Sequence, residues 1–244
     1  MVSRSELKYI QSLSDKKVRL ESGCFIAEGV KLVGEMIAAG YPIEKLYAIE
    51  SWEAPDANIE VRRIEAFELE KMSLLQTPNQ VVAVAKMPSK IDAVNLAGKL
   101  TIVLDGIRDP GNLGTIIRIC DWYGFKQLVL SSDCTEFYNP KVIISTMGSF
   151  SRIEFTYVDL PAFFQQHSDI KKIGAVLHGE NIHQYQFPEK GFIILGNESN
   201  GIREEIMELL DERITIPAFG EAESLNVGIS TAVIADNLKR FILS

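Results

Sequence analysis

From Leu100 onward the chain alternates between short apolar runs and longer stretches with helical spacing. The runs "LTIVLD", "QLVLSS", "RIEFTYVD", "KIGAVLH", "GFIILG" and "RITIPA" are rich in β-branched residues and bounded by Gly, Asp or Pro, the pattern of buried strands. Helical spacing follows "GNLG" and covers "NPKVIISTMGSF", "LPAFFQQH", "REEIMELLD" and "SLNVGISTAVIADNLKRFIL". Apolar strands alternating with helices predict an α/β fold, a parallel sheet with helices on both faces. In such sheets ligands bind beyond the carboxyl ends of the strands.

The first part of the chain reads as a small α/β module. "SELKYIQSLSDKKVRLES" has helical spacing, "CFIAEG" is a short strand, and "KLVGEMIAAG" is a helix ending on Gly40, a frequent helix stop. "IEKLYAIE", "IEVRRIEA" and "VVAVAK" are further strands. "AKMPSKIDAVNLAGK", Ala85 to Lys99, separates the two patterns, with a linker near Met87 to Gly98. The expected division is a module over 1–90 and a larger domain over 98–244.

A length of 244 residues suits one large or two small domains. No window approaches ~18 uninterrupted apolar residues, so no membrane span is expected. The opening "MVSRSELKYIQSL" lacks the apolar stretch of a signal peptide. Cys24, Cys120 and Cys134 are scattered, without a CxxC. They fit a reducing cytoplasm and offer no metal site. "HGENIH" sets His178 and His183 five apart after a strand; it is not HExxH and reads as a loop. A net charge of −8 argues against broad attraction to nucleic acid. Up to Lys31, however, Arg4, Lys8, Lys16, Lys17, Arg19 and Lys31 outnumber Glu6, Asp15, Glu21 and Glu28. Lys8, Lys16, Lys17 and Arg19 are candidate RNA-phosphate contacts, with a plain solvated helix face as the rival reading.

Three strand ends stand out. In "DGIRDPGNLGTIIR", Pro110 and Gly111 turn the chain, Gly114 lets a helix start close to a neighbour, and Asn112 can cap it or meet a ligand. Arg118 sits in sequence among Ile116, Ile117 and Ile119; an apolar collar there would raise the value of its charge, and a solvent-facing arginine is the plainer reading. In "FIILGNESNGIREEI" the strand stops at Gly196 and Glu198 lies just beyond it. In "IPAFGEAESLNVGISTAVIADNL", Pro217 and Gly220 break the strand and Ser224 can cap a helix opening at Leu225. That helix is apolar or small nearly all round, as buried helices are.

In this order, "DPGNLGTIIR", "ILGNESNGI" and "IPAFGEAESLNVGISTA" resemble the three signature motifs of the SpoU/TrmH family, within the SPOUT class of RNA methyltransferases. The likeness spans Leu100 to Leu243, and "KYIQSLSDKKVRLESGCFIAEGVKLVGEMIAAG" with "TPNQVVAVAK" resembles the family's N-terminal substrate-binding module. The resemblance implies S-adenosylmethionine as methyl donor, a ribose 2′-hydroxyl of RNA as acceptor, a deep trefoil knot near the C-terminus, and a homodimer. Residue by residue it implies catalytic roles for Asn112, Arg118, Glu198, Ser224 and Asn226. It implies a donor cradle from Leu195, Gly196, Asn197, Ile216, Pro217, Ser224, Leu225 and Asn226. Members carrying the module commonly act on ribosomal RNA, so that acceptor is expected before transfer RNA. Cys120, Asp121 and Trp122 depart from the small or apolar residues the family often has there.

Two other classes compete. An RNA- or ribosome-binding protein that lost catalysis would not need all five motif residues. A nucleotide-dependent dehydrogenase would need a GxGxxG turn, but the first motif's glycines fall at 106, 111 and 114.

Overall fold

The computed structural model describes residues 1–88 and 100–243, so most of the expected linker Met87 to Gly98 lies outside the described residues. Two side-chain caps set the first elements. Ser3 accepts a hydrogen bond from the Glu6 N–H at 3.2 Å and opens α1 (Arg4–Ser12); Asp15 accepts from the Lys17 N–H at 2.7 Å and opens α2 (Lys16–Ser22). The single helical stretch expected from spacing is therefore two helices, because Asp15 caps a new one. Then follow β1 (Cys24–Glu28), α3 (Val30–Ala38), β2 (Ile43–Ala48), β3 (Arg62–Arg63), α4 (Ala66–Met72) and β4 (Val81–Lys86).

The sheet order is β1-β4-β2-β3, with β4 antiparallel to both neighbours. Ile10 and Leu13 at the end of α1, Ile26 and Tyr47 of the sheet, and Leu69 and Met72 of α4 form one buried cluster. "IEVRRIEA" contributes only the two-residue β3, and α4 follows it unforeseen. The signal was present: Glu65 and Glu68 form a capping box. Glu6 accepts from the Tyr47 hydroxyl at 2.6 Å, Arg62 at 2.8 Å and Lys45 at 3.0 Å. The Tyr47 hydrogen bond first, then the two cations, pull its carboxyl down to about 2.

The larger sheet is parallel throughout. Its strands are β5 (Leu100–Leu104), β6 (Gln127–Ser131), β7 (Glu154–Val158), β8 (Lys172–Asn181), β9 (Gly191–Leu195) and β10 (Glu212–Thr215), in the order β10-β8-β9-β5-β6-β7. Its helices are α5 (Pro110–Trp122), α7 (Leu160–Gln166), the short α8 (Glu204–Met207) and α9 (Val227–Leu243). From β5 the chain builds outward through β6 and β7, then returns to the other side of β5 with β8 and β9. The boundary between β5 and β9 is thus a topological switch point, where ligands of open α/β sheets bind. No helix among the described residues is long and apolar enough to cross a membrane.

One element departs from the alternating pattern. α6 (Pro140–Thr146) and the 3₁₀ turn Ser149–Arg152, expected over the parallel sheet, pack instead with the first unit, which takes the chain through β4 and adds Glu136–Arg152. The Phe25 ring lies 4.8 Å from Tyr138 and 5.6 Å from Phe150, and such ring contacts add to the burial of apolar area. Arg19 belongs to the same contact and corrects the expectation that it meets RNA. It is 2% exposed, paired with Glu136, and donates to the Leu13 and Ser14 carbonyls at 2.7 and 2.8 Å. A guanidinium spent in this way has nothing left for a phosphate.

The Glu6 cluster yields a test. A carboxyl lowered from 4.5 to about 2 stabilises the fold above pH 4.5, and that contribution is lost as the pH falls towards about 2. Glu6→Gln should lower the melting temperature by a few degrees at pH 7. Melting curves across pH should show the gap closing over that acid range; an undiminished gap at its lower end would mean that Glu6 acts by shape alone.

Candidate active site

The site begins where β5 ends. Asp105 continues the ladder, its N–H donating to the Leu195 carbonyl at 2.9 Å. Gly106, with φ 70°, turns the chain. Asp109 caps α5 by accepting from the Asn112 N–H at 2.8 Å, with Pro110 in the first turn. This leaves the Asn112 side chain at the mouth of the helix. Next door, β9 ends at Leu195 and the chain folds back on itself: Asn197 and Gly201 exchange backbone hydrogen bonds at 2.9 and 2.8 Å. At Gly196 the reversal is so tight that a Cβ would lie 2.1 Å from the Gly201 carbonyl carbon, so only glycine fits. The Asn197 amide donates to the Gly106 carbonyl at 2.8 Å and ties the two turns together.

The third strand end joins them. The Asn226 amide nitrogen donates to the Asn112 side-chain oxygen at 2.8 Å, and the Asn112 nitrogen donates to the Glu198 carboxylate. The Asn226 oxygen accepts from the Gly228 N–H at 2.9 Å. Each amide therefore has one chemically consistent orientation: carboxylates only accept, and helix N–H groups only donate. Residues 86 and 114 positions apart in sequence form one chain of hydrogen bonds.

Other expected residues stand apart from this chain. α9 opens at Val227 under the Asn226 cap, not at Leu225 under Ser224; Ser224 is exposed. Leu225 is 48% exposed, while Ile216 and Pro217 are half-buried in the irregular stretch after β10. Of the collar expected around Arg118, Ile116 and Ile117 are turned away into the core and Ile119 is half-buried. Ile116 and Ile117 are fully buried on the inner face of α5, while Arg118 is exposed and has no hydrogen-bond or ion-pair partner among the described residues. At ~100° per residue it points roughly 120° around the helix from Asn112. Neighbours in sequence on a helix are not neighbours in space.

Phe219 and Leu177 are exposed apolar side chains, at 96% and 65%. The Thr215 hydroxyl donates to the Leu177 carbonyl at 3.0 Å, which sets Leu177 beside the strand end leading into Ile216. Lys8, Lys16 and Lys17 are exposed, Lys17 lying 3.9 Å from Glu21. "HGENIH" is less of a loop than expected, since β8 runs through to Asn181. His183 Nδ1 lies 3.1 Å from the Asn237 side-chain oxygen.

Two polar residues at the site escaped the motif reading. Asp105 has no exposure, and Arg203 grips it at 2.6 Å. An acid closing a buried strand was the available signal for Asp105. For Arg203, in a helix start crowded with acids, no local signal existed.

Comparison with known proteins finds relatives along most of the chain. Residues 99–236 match the model of the SpoU rRNA Methylase family, and residues 4–83 match that of the MRM3-like substrate binding domain. A protein named 23S rRNA (guanosine(2553)-2'-O)-methyltransferase RlmP, from Bacillus subtilis, is 27% identical over 96% of both chains. One named 23S rRNA (guanosine-2'-O-)-methyltransferase RlmB, from Xanthomonas axonopodis, is 30% identical over 81% of this chain and 84% of its own. Among solved structures, a TrmH-family RNA methyltransferase described as putative, from Porphyromonas gingivalis, superposes with a TM-score of 0.87 and 33% identity over 98% of this chain and 99% of its own. An AdoMet-bound rRNA methyltransferase from Sinorhizobium meliloti does so at 0.86 and 26% over 100% and 98%.

Gly196 gives the prediction for this site. Gly196→Ala should leave the fold cooperative but open the Asn197–Gly201 reversal and weaken S-adenosylmethionine binding at least ~10-fold, or about 1.4 kcal/mol. Calorimetric titration reads this directly. Unchanged affinity would mean the reversal plays no part in holding the donor.

Proposed function

The chain belongs to the SpoU rRNA methylase family, and from that premise we propose that it methylates a ribose 2′-hydroxyl of RNA with S-adenosylmethionine, in ribosomal rather than transfer RNA. The observation that carries this reading is the hydrogen-bonded chain Asn226–Asn112–Glu198, which joins all three strand ends at the switch point of the sheet. A binding protein freed from catalysis has no need to keep it. The relatives' names support ribosomal RNA as the acceptor.

The donor supplies a methyl group on a positively charged sulfur. The protein's part is to make a weakly acidic hydroxyl attack in line, which is mainly a matter of position and charge. Asn112, held between Glu198 and Asn226, cannot rotate, and it presents a fixed polar edge to the ribose. Arg118 serves as a grip on an adjacent phosphate and as a stabiliser of the developing alkoxide. It does not serve as a base, because a guanidinium does not give up its proton in proteins. Ser224, exposed beside Asn226, orients the ribose. Leu195, Gly196, Asn197, Ile216, Pro217 and Leu225 cradle the donor.

The rest of the reading follows the same premise. Trp122 and Ile229 are 84% and 55% exposed, and apolar area of that kind calls for a partner surface; a second copy of the chain covers it. The backbone passages at Gly179 and Gly196, too close for any side chain, support the deep knot of the family. The module over 1–90 selects the RNA, with Lys8, Lys16 and Lys17 meeting phosphates, and 98–244 carries the chemistry. The cytoplasm is the compartment this implies.

Two outcomes are expected. With labelled S-adenosylmethionine, the protein should methylate a discrete 2′-hydroxyl in ribosomal RNA and leave transfer RNA unlabelled; label in transfer RNA alone would overturn the choice of acceptor, and label in neither would overturn the activity. Arg118→Ala should cut turnover ~10²–10³-fold while calorimetry shows donor affinity unchanged.

A further inference from the structure

Asp105 is a carboxylate with no exposure to water, at the end of the central strand β5. A buried charge is costly unless paired and hydrogen-bonded, and here one residue does nearly all of it. Arg203 gives its backbone N–H to one Asp105 oxygen at 2.8 Å, and its Nε and Nη2 approach the other at 2.7 and 2.6 Å. Arg203 lies two residues beyond Gly201, where the reversal that carries Glu198 closes. That reversal is therefore pinned at both ends to the turn after β5: by Asn197 on the Gly106 carbonyl at 2.8 Å, and by Arg203 on Asp105. Between the two pins stands Glu198, which holds Asn112. The same guanidinium lies 3.8 Å from Asp133, which accepts from the Ser131 hydroxyl at 2.7 Å; the Ser131 oxygen in turn accepts the Gly106 N–H at 2.8 Å.

We propose that Arg203 is a positioning residue for methyl transfer, which locks the reversal onto Asp105 so that Glu198 holds Asn112 in one orientation. The inference rests on the function proposed above and adds a residue to that site. The rival role, a direct grip on an RNA phosphate, is opposed by the surroundings. Asp105, Asp133 and Glu205 all stand within 3.8 Å of the guanidinium, so a polyanion would meet three carboxylates with the cation already engaged. Lysine is no substitute, since a single ammonium cannot reproduce the Nε and Nη2 contacts.

The test is a double-mutant cycle on the full chain with Arg203→Ala and Glu198→Gln, reading kcat at saturating donor and RNA. Arg203→Ala alone should lower kcat ~10–100-fold through misplacement, with the KM for RNA changed less than ~3-fold. In the Glu198→Gln background it should cost less than ~3-fold more, because both changes break one unit. Costs that multiply independently would overturn the proposal, as would a raised KM with unchanged kcat, the mark of a phosphate contact. Should Arg203→Ala fail to fold, Arg203→Lys keeps a charge at the site; it should show a smaller loss with the same non-additivity. Hydrogen exchange reads the tie without turnover. Loss of Arg203 should speed exchange of the Asn197 and Gly201 amides, and unchanged protection would overturn the proposal. A wild-type protein that transfers no methyl group but shows this faster exchange on substitution would refute the proposed function and leave the tie standing.

Discussion

β5 and β9 lie side by side in register, Leu104 opposite Leu195, and the candidate site depends on that pairing. Both strands are almost wholly apolar and buried, so a slip in register would strand side chains and ladder hydrogen bonds alike. The pairing puts Asp105 beside Gly196, and from there two turns with separate sequence origins can share hydrogen bonds. A buried carboxylate at this seam works as a lock, because it is tolerable only while Arg203 stays in place.

The local geometry then leaves little freedom. Gly196 admits no side chain, Asp109 and Asn226 cap the helices that face each other across the site, and α5 and α9 approach closely enough that a Cβ on Gly228 would lie 3.0 Å from the Thr115 methyl. The polar residues are thus held by backbone, caps and neighbours before any ligand arrives. Such preorganisation suits a reaction whose difficulty is alignment and charge.

The first unit shows the same economy with a different result. Arg19, which composition groups with the surface bases, is buried with Glu136 from a distant part of the chain. Phe25, Tyr41, Tyr138 and Phe150 close around the same junction. A helix that alternation assigns to the parallel sheet instead completes the packing of β1.

Hydrophobic period and turn chemistry determined most element types of both units, α4 being the exception. The buried strands after Leu100 are read from unbroken apolar runs, because burial is a local demand that a residue's own neighbours express; the caps at Asp15 and Asp109, which open α2 and α5, emerged only in the structure. The resemblance to the family's three motifs singled out Asn112, Glu198 and Asn226. Which bases are free could not be read, since Arg19 and Lys17 look alike until Glu136 arrives from 117 residues away. Nor could the isolation of Arg118 from its isoleucines, which depends on where around α5 each residue points. Arg203 and the orientation of Asn112 came only with the tertiary structure. Each rests on a partner across the β5–β9 seam or beyond it, and long-range pairing leaves no periodic trace in either partner's own segment.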